Sequence, residues 1–147
     1  MAQFEVNGLE SLIKDLESAA DNVPELAMEM LTAEADIVEP ALKRSILREG
    51  LVRSGTLRDS IKRRISKAKG TPTIYIGPSG VHHYYMPRKG KNGTVTAGNV
   101  GFITEYGVPS RNIRPRPWMA NAVEESQGKA LAAAEQVHDQ YLKKHNL

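Results

Sequence analysis

The stretch GFITEYGVPSRNIRPRPWMANAV, Gly101 to Val123, decides how the rest of the chain is arranged. Its second half carries Pro109, Pro115 and Pro117, with Arg111, Arg114 and Arg116 among them. Proline fixes φ and lacks an N–H, so a Pro-X-Pro run resists both helix and central strand. Residues ahead of a proline are pushed to extended geometry. Arg114 and Arg116 are therefore expected in a stiff extended arm. Pro117 suits the first position of a helix, where its missing donor is not needed. Trp118, the only tryptophan, is expected to anchor that helix, because an indole buries a large apolar area. Ahead of the arm stand Phe102 and Ile103, then Glu105 with Tyr106-Gly107 directly after it. Glu105 is the one acid between residues 60 and 123, against eleven basic side chains. That isolation predicts an ion pair with Arg114 or Arg116, pinning the arm to a preceding strand. A structural role is preferred to catalysis, since perturbed carboxylates also arise in structural networks.

Outward from this stretch, Trp118 to about Lys144 reads as one helix, with Met119, Ala122, Val123, Ala130, Ala133, Val137 and Tyr141 supplying apolar faces. Lys143, Lys144 and His145 suit its C-terminus. On the other side, residues 79 to 100 contain several glycines together with Arg88, Lys89 and Lys91, and read as a mobile basic loop, with Asn92-Gly93 as a candidate hairpin tip. Before it, Ile61 to Ile65 and Thr73 to Ile76 read as strands joined by a turn around Gly70-Thr71-Pro72. Ser54 or Thr56 can cap a short helix with Asp59 as its partner. In that segment Leu57 and Ile61 share a face.

The N-terminal third is helical by periodicity. Leu9, Leu12, Ile13 and Leu16 mark a first helix, which Val23-Pro24 is expected to break. Leu26, Met30, Ala33, Ile37 and Ala41 mark a second, kinked near Asp36 to Glu39 by Pro40 and ended at Gly50. Phe4 to Val6 reads as a short edge strand. The expected architecture is one α+β domain over 1–147: a small, mostly antiparallel sheet from about 61 to 106, flanked by a long N-terminal helix and a C-terminal helix.

The net charge of +3 hides a partition. Residues 1 to 59 carry 12 acids and 6 bases, net −6, whereas residues 60 to 123 carry 11 bases and one acid, net +10. Such asymmetry calls for a partner of opposite sign. Nucleic acid fits, and so does the acidic N-terminal third of a neighbouring copy. The absence of cysteine excludes disulfides, thiolate metal sites and a cysteine nucleophile. No secretory leader and no membrane-length apolar run is visible, so a soluble protein made in the cytoplasm is expected. His82-His83 with Glu105 is the only set resembling metal ligands, and adjacent histidines on a strand point to opposite faces. No P-loop or nucleophile elbow occurs. Neither a cofactor, a metal nor an enzymatic activity is expected.

Three motifs stand in order: Gly8-Leu9 to Glu17 as GLxxLxxxLE; Ser54-Gly55-Thr56-Leu57-Arg58-Asp59-Ser60-Ile61; and Phe102 to Gly107 followed by Arg116 to Ala122 as F-x-x-E-Y-G and R-P-W-M-x-x-A. Together they resemble the minor tail-component family of lambda-like siphophages and prophages, the head–tail joining or tail-completion proteins. The resemblance covers most of the chain, although the proline usual before the second motif is missing here. It implies a virion structural protein forming a ring at the neck, with a hexamer favoured over a dodecamer. The implied partners are connector or head-closure proteins and tail-terminator or tail-tube proteins, with DNA passing through the lumen and no membrane contact. Glu105, Tyr106, Gly107, Arg114, Arg116, Pro117, Trp118, Leu57, Arg58 and Ile61 are the structural or interface candidates. The alternative is a DNA-binding accessory protein using the basic middle segment.

Overall fold

A computed structural model describes residues 9–52, 55–66 and 72–146. The expected Phe4–Val6 strand, the Ser54 cap and residues 70 and 71 of the turn lie outside them. The described elements are helices α1 (Leu9–Arg48), α2 (Thr56–Asp59), α3 (Ala97–Tyr106) and α4 (Trp118–His145), and strands β1 (Ile61–Ser66), β2 (Thr73–Pro78), β3 (Val81–Met86) and β4 (Lys91–Thr96). The class is α+β, with long helices at both ends and strands between.

Helix α1 is continuous over 40 residues, with Pro24 and Pro40 inside it, so the expected break at Pro24 does not occur. Both prolines face solvent. The carbonyl that each one strips of its helical partner can there be hydrated, which lowers the penalty of an interior proline. The opposite face of α1 packs along α4 over most of the latter's length, and this burial outweighs what remains. Helix α4 presents Ala122, Ser126, Ala130 and Ala134, all buried. Their four-residue spacing keeps small side chains on one face, so the two helices approach closely. At the far end, Asn22 to Glu29 of α1 lie beside Val137 to His145 of α4, so the pair runs antiparallel.

The strands do not form one sheet. β1 pairs antiparallel with β2, and β3 with β4, as two separate two-stranded units. In the first, Ile61 lies opposite Pro78 and Arg63 opposite Ile76; this face looks toward α1, and its alternate, with Lys62, Arg64 and Tyr75, looks outward. The second unit corrects the expectation of an irregular loop over 79–100. It is a regular hairpin whose tip is a short 3-10 turn, Pro87–Lys89, while Asn92 and Gly93 lie within β4. The segment from Phe102 to Tyr106, expected as strand, is the second half of α3. Thr96 caps that helix, its hydroxyl accepting from the Asn99 N–H at 3.2 Å.

The core gathers where the elements converge. Ala41, Leu42 and Ile46 from α1, Leu57 from α2, Ile61 from β1, and Trp118 and Ala122 from α4 form one buried cluster, flanked by Val38, Leu51, Ile76, Val100 and Met119. The molecule is therefore a two-helix stalk with a packed head at one end. Among the described residues, no helix is long and apolar enough to cross a membrane.

Candidate functional site

The head is organised by the junction between α3, the proline arm and α4. Pro117 occupies the N-cap position of α4 and offers no side-chain acceptor for the first amides of that helix. Glu105 supplies it from α3. Its carboxylate accepts from the Met119 N–H at 2.7 Å and from the Ala120 N–H at 3.1 Å, and it is buried. The carboxylate thus caps α4 through space and meets the positive end of its dipole. The expected ion pair with Arg114 or Arg116 is not made. The arm is held instead through its backbone, Arg116 N–H donating to Thr104 O at 2.8 Å, and the Arg116 guanidinium donates to Glu49 O.

Trp118 is fully buried. Its indole N–H donates to the Thr104 hydroxyl at 3.1 Å, and its carbonyl accepts from the Ser45 hydroxyl at 2.6 Å. Gly101 makes room for the ring: a Cβ there would stand 2.8 Å from Pro78 Cγ and 3.3 Å from the indole. Gly107 lets the chain leave α3, with φ of 70° and a backbone so close that a Cβ would meet Ile113 O at 2.6 Å. Of the sequence candidates, Glu105, Gly107, Arg116, Pro117 and Trp118 come together here, and Leu57 and Ile61 join the same core. Arg58 does not; it pairs with its neighbour Asp59 at 2.8 Å on the surface. Tyr106 and Arg114 are exposed, Tyr106 against Phe102 with ring centroids 4.8 Å apart. Ser45, Thr104 and Gly101 were not singled out by sequence. A capping residue, Thr96, ahead of an i, i+4 aromatic pair was the available signal that this segment is helix.

Outside the junction two charged regions stand out. On α1, Glu25, Glu29 and Asp36 line one shallow groove with Met28 and Ala33, and Glu25 and Glu29 make no ion pair among the described residues. Further along α1, Arg63 of β1 bridges Asp36 at 2.7 Å and Glu39. Hydrogen bonding from Lys43, with Arg63 adding to it, holds the Glu39 carboxyl below its usual range, and Asp36 and Glu39 raise the Arg63 guanidinium. On the head, Lys62 and Arg64 of β1, Arg88, Lys89 and Lys91 at the hairpin tip, and Arg111 and Arg114 on the arm face solvent.

Between the β3–β4 hairpin and the core of the head lies a cleft of about 730 Å³, walled by Leu51, Leu57, Val95, Val100 and Tyr84, with Arg116 and His82 at its polar side. His82 Nε2 is shut off from solvent without a hydrogen-bond partner. Among the described residues, no three His, Asp or Glu side chains stand together as a metal site would require. The arrangement offers surfaces for docking.

Residues 10–96 match the model of the HK97-gp10-like family, described as "Bacteriophage HK97-gp10, putative tail-component". No curated protein and no solved structure matches the chain. The chain belongs to this family of phage tail components.

Proposed function

We propose that this tail component is a non-enzymatic ring subunit of the phage neck, joining the capsid connector to the tail or completing the tail. The observation that carries the reading is the pair of unlike faces on one subunit: an acidic row on the stalk and a basic hairpin and arm on the head. Two different complementary patches join copies head to tail, and such contacts close into a ring when the rotation allows. The internally capped, fully paired junction gives each copy the fixed shape that closure needs. The tail-tube or tail-terminator and connector proteins are then the neighbours above and below.

Native mass measurement of the full chain tests this, alone and with connector or tail proteins. A defined multiple of 16.2 kDa is expected, and deletion of the gene should leave heads and tails unjoined. Fully joined particles after deletion would overturn the neck assignment. A second reading, DNA binding, draws on Lys62, Arg64 and Tyr75 sharing the outer face of β1–β2. It predicts sequence-independent binding that weakens steeply with salt.

A further inference from the structure

The cleft under the β3–β4 hairpin is a prominent feature that the subunit's own packing does not use. Its walls are apolar, yet Tyr84 is 48 % exposed and Val81 at its mouth 57 % exposed. It holds a buried imidazole nitrogen without a partner. Beyond it, the hairpin tip carries Arg88, Lys89 and Lys91, all exposed, and no acid. An occupant must therefore bring a narrow ridge of side chains, part apolar and part acidic. The acidic row of α1 has that composition: Glu25 and Glu29, both exposed, share one face of the helix with Met28 and Ala33.

The row cannot come from the same copy. The cleft begins at Gly50 and Leu51, which lie about 30 Å along the helix axis from Glu29 at 1.5 Å per residue. A six-residue strand spans only about 20 Å. We propose that the hairpin of one copy closes over the acidic stalk of the next, with the Glu25–Glu29 row entering the cleft and the Arg88–Lys91 tip on its flank. A carboxylate of that row would be the acceptor His82 lacks. The inference rests on the ring reading above and assigns the contact that builds the ring: hairpin to stalk, head to tail.

The chain has no cysteine, so introduced thiols are unique. The double variant Glu29→Cys/Lys91→Cys is assembled and treated with a short bifunctional thiol reagent. A ladder of covalent multiples of 16.2 kDa is expected, ending at the native mass, with no dimer from either single variant. Charge reversal gives an independent arm. Glu25→Lys/Glu29→Lys and Lys89→Glu/Lys91→Glu should each weaken self-association at least tenfold, and their combination in one chain should restore it. A native multiple without a ladder, or a dimer from one single variant, overturns this contact and leaves the ring standing. A monomer under all conditions, with and without connector and tail proteins, removes both.

Discussion

The α3–α4 junction and the β3–β4 hairpin lie on the same head and are built in opposite ways. In the junction every polar group named above finds a partner inside the subunit: Glu105 on two amides, Thr104 on the indole, Ser45 on a carbonyl. The hairpin makes its ladder bonds and leaves its charged side chains and one face of the cleft in solvent. A buried polar group without a partner is costly, so a region with none left over holds one geometry. A region with exposed, unpaired groups contributes little to that geometry and keeps them for another molecule. Substitutions in the two regions should therefore separate stability from assembly.

The largest effect is expected at Trp118. Trp118→Ala empties the centre of the core and removes the donor to Thr104, and a buried aromatic truncation costs about 3–5 kcal/mol. Thermal or denaturant unfolding of the variant measures it. The indole is buried in the subunit itself, so assembly should fail only through loss of fold. A variant that melts like wild type would mean that the junction is not the organising centre.

Glu105 comes next. Glu105→Ala leaves the Met119 and Ala120 amides without their acceptor and removes a negative charge from the start of α4. Loss of such a cap and of buried hydrogen bonds costs about 1–3 kcal/mol. Glu105→Gln keeps one acceptor oxygen and should lose less. An equal loss in both variants would show that the charge, not the hydrogen bonds, stabilises the helix start.

That carboxylate also marks where sequence reading stops. Its isolation among basic residues was legible, and so were the proline arm's lack of helix or strand over 114–117, the burial of Trp118 and the extent of α4. Its partner was not, because charge along a chain says nothing of backbone N–H groups that become available only when a helix starts at Trp118. Pro24 misled for a related reason: the local penalty is visible in sequence, whereas the α4 face that overrides it is seventy or more residues away in the chain. The glycines of 79–101 read as looseness. Two of the structural reasons are contact and capping: Gly101 exists for the indole and Pro78 above it, and Thr96 starts a helix that few apolar repeats announce.

A smaller effect is expected where stalk and head meet through Arg63. The Glu39 carboxyl is held below its usual range by Lys43 and Arg63, so its folded pKa is lower than its unfolded one. Its contribution is present above the unfolded pKa and is lost as pH falls through the folded value. Arg63→Gln should cost about 0.2–1 kcal/mol near neutral pH, and the difference from wild type should shrink as pH drops below the carboxylate range. A difference that stays constant as pH falls through and below that range would remove Glu39 from the account and leave packing of the arginine stem.

The smallest effect on stability is the one that bears most on the comparison. Arg88→Ala, Lys89→Ala and Lys91→Ala together remove three positive charges from the hairpin tip. None of the three makes an ion pair among the described residues, and surface changes of this kind usually fall within about 0.5 kcal/mol. Unfolding of the triple variant should therefore superimpose on wild type. Removing three like charges from one tip also relieves their mutual repulsion, so a slight gain is as consistent as a slight loss. Assembly is the readout that must move, because a tip that steers an acidic partner acts on encounter and register. The loss should be salt-dependent, with wild type approaching the variant as ionic strength rises and screening shortens the reach of those charges. A triple variant that unfolds earlier would place the hairpin with the junction, as part of the frame. One that folds and assembles like wild type would leave the basic tip without a role in holding copies together.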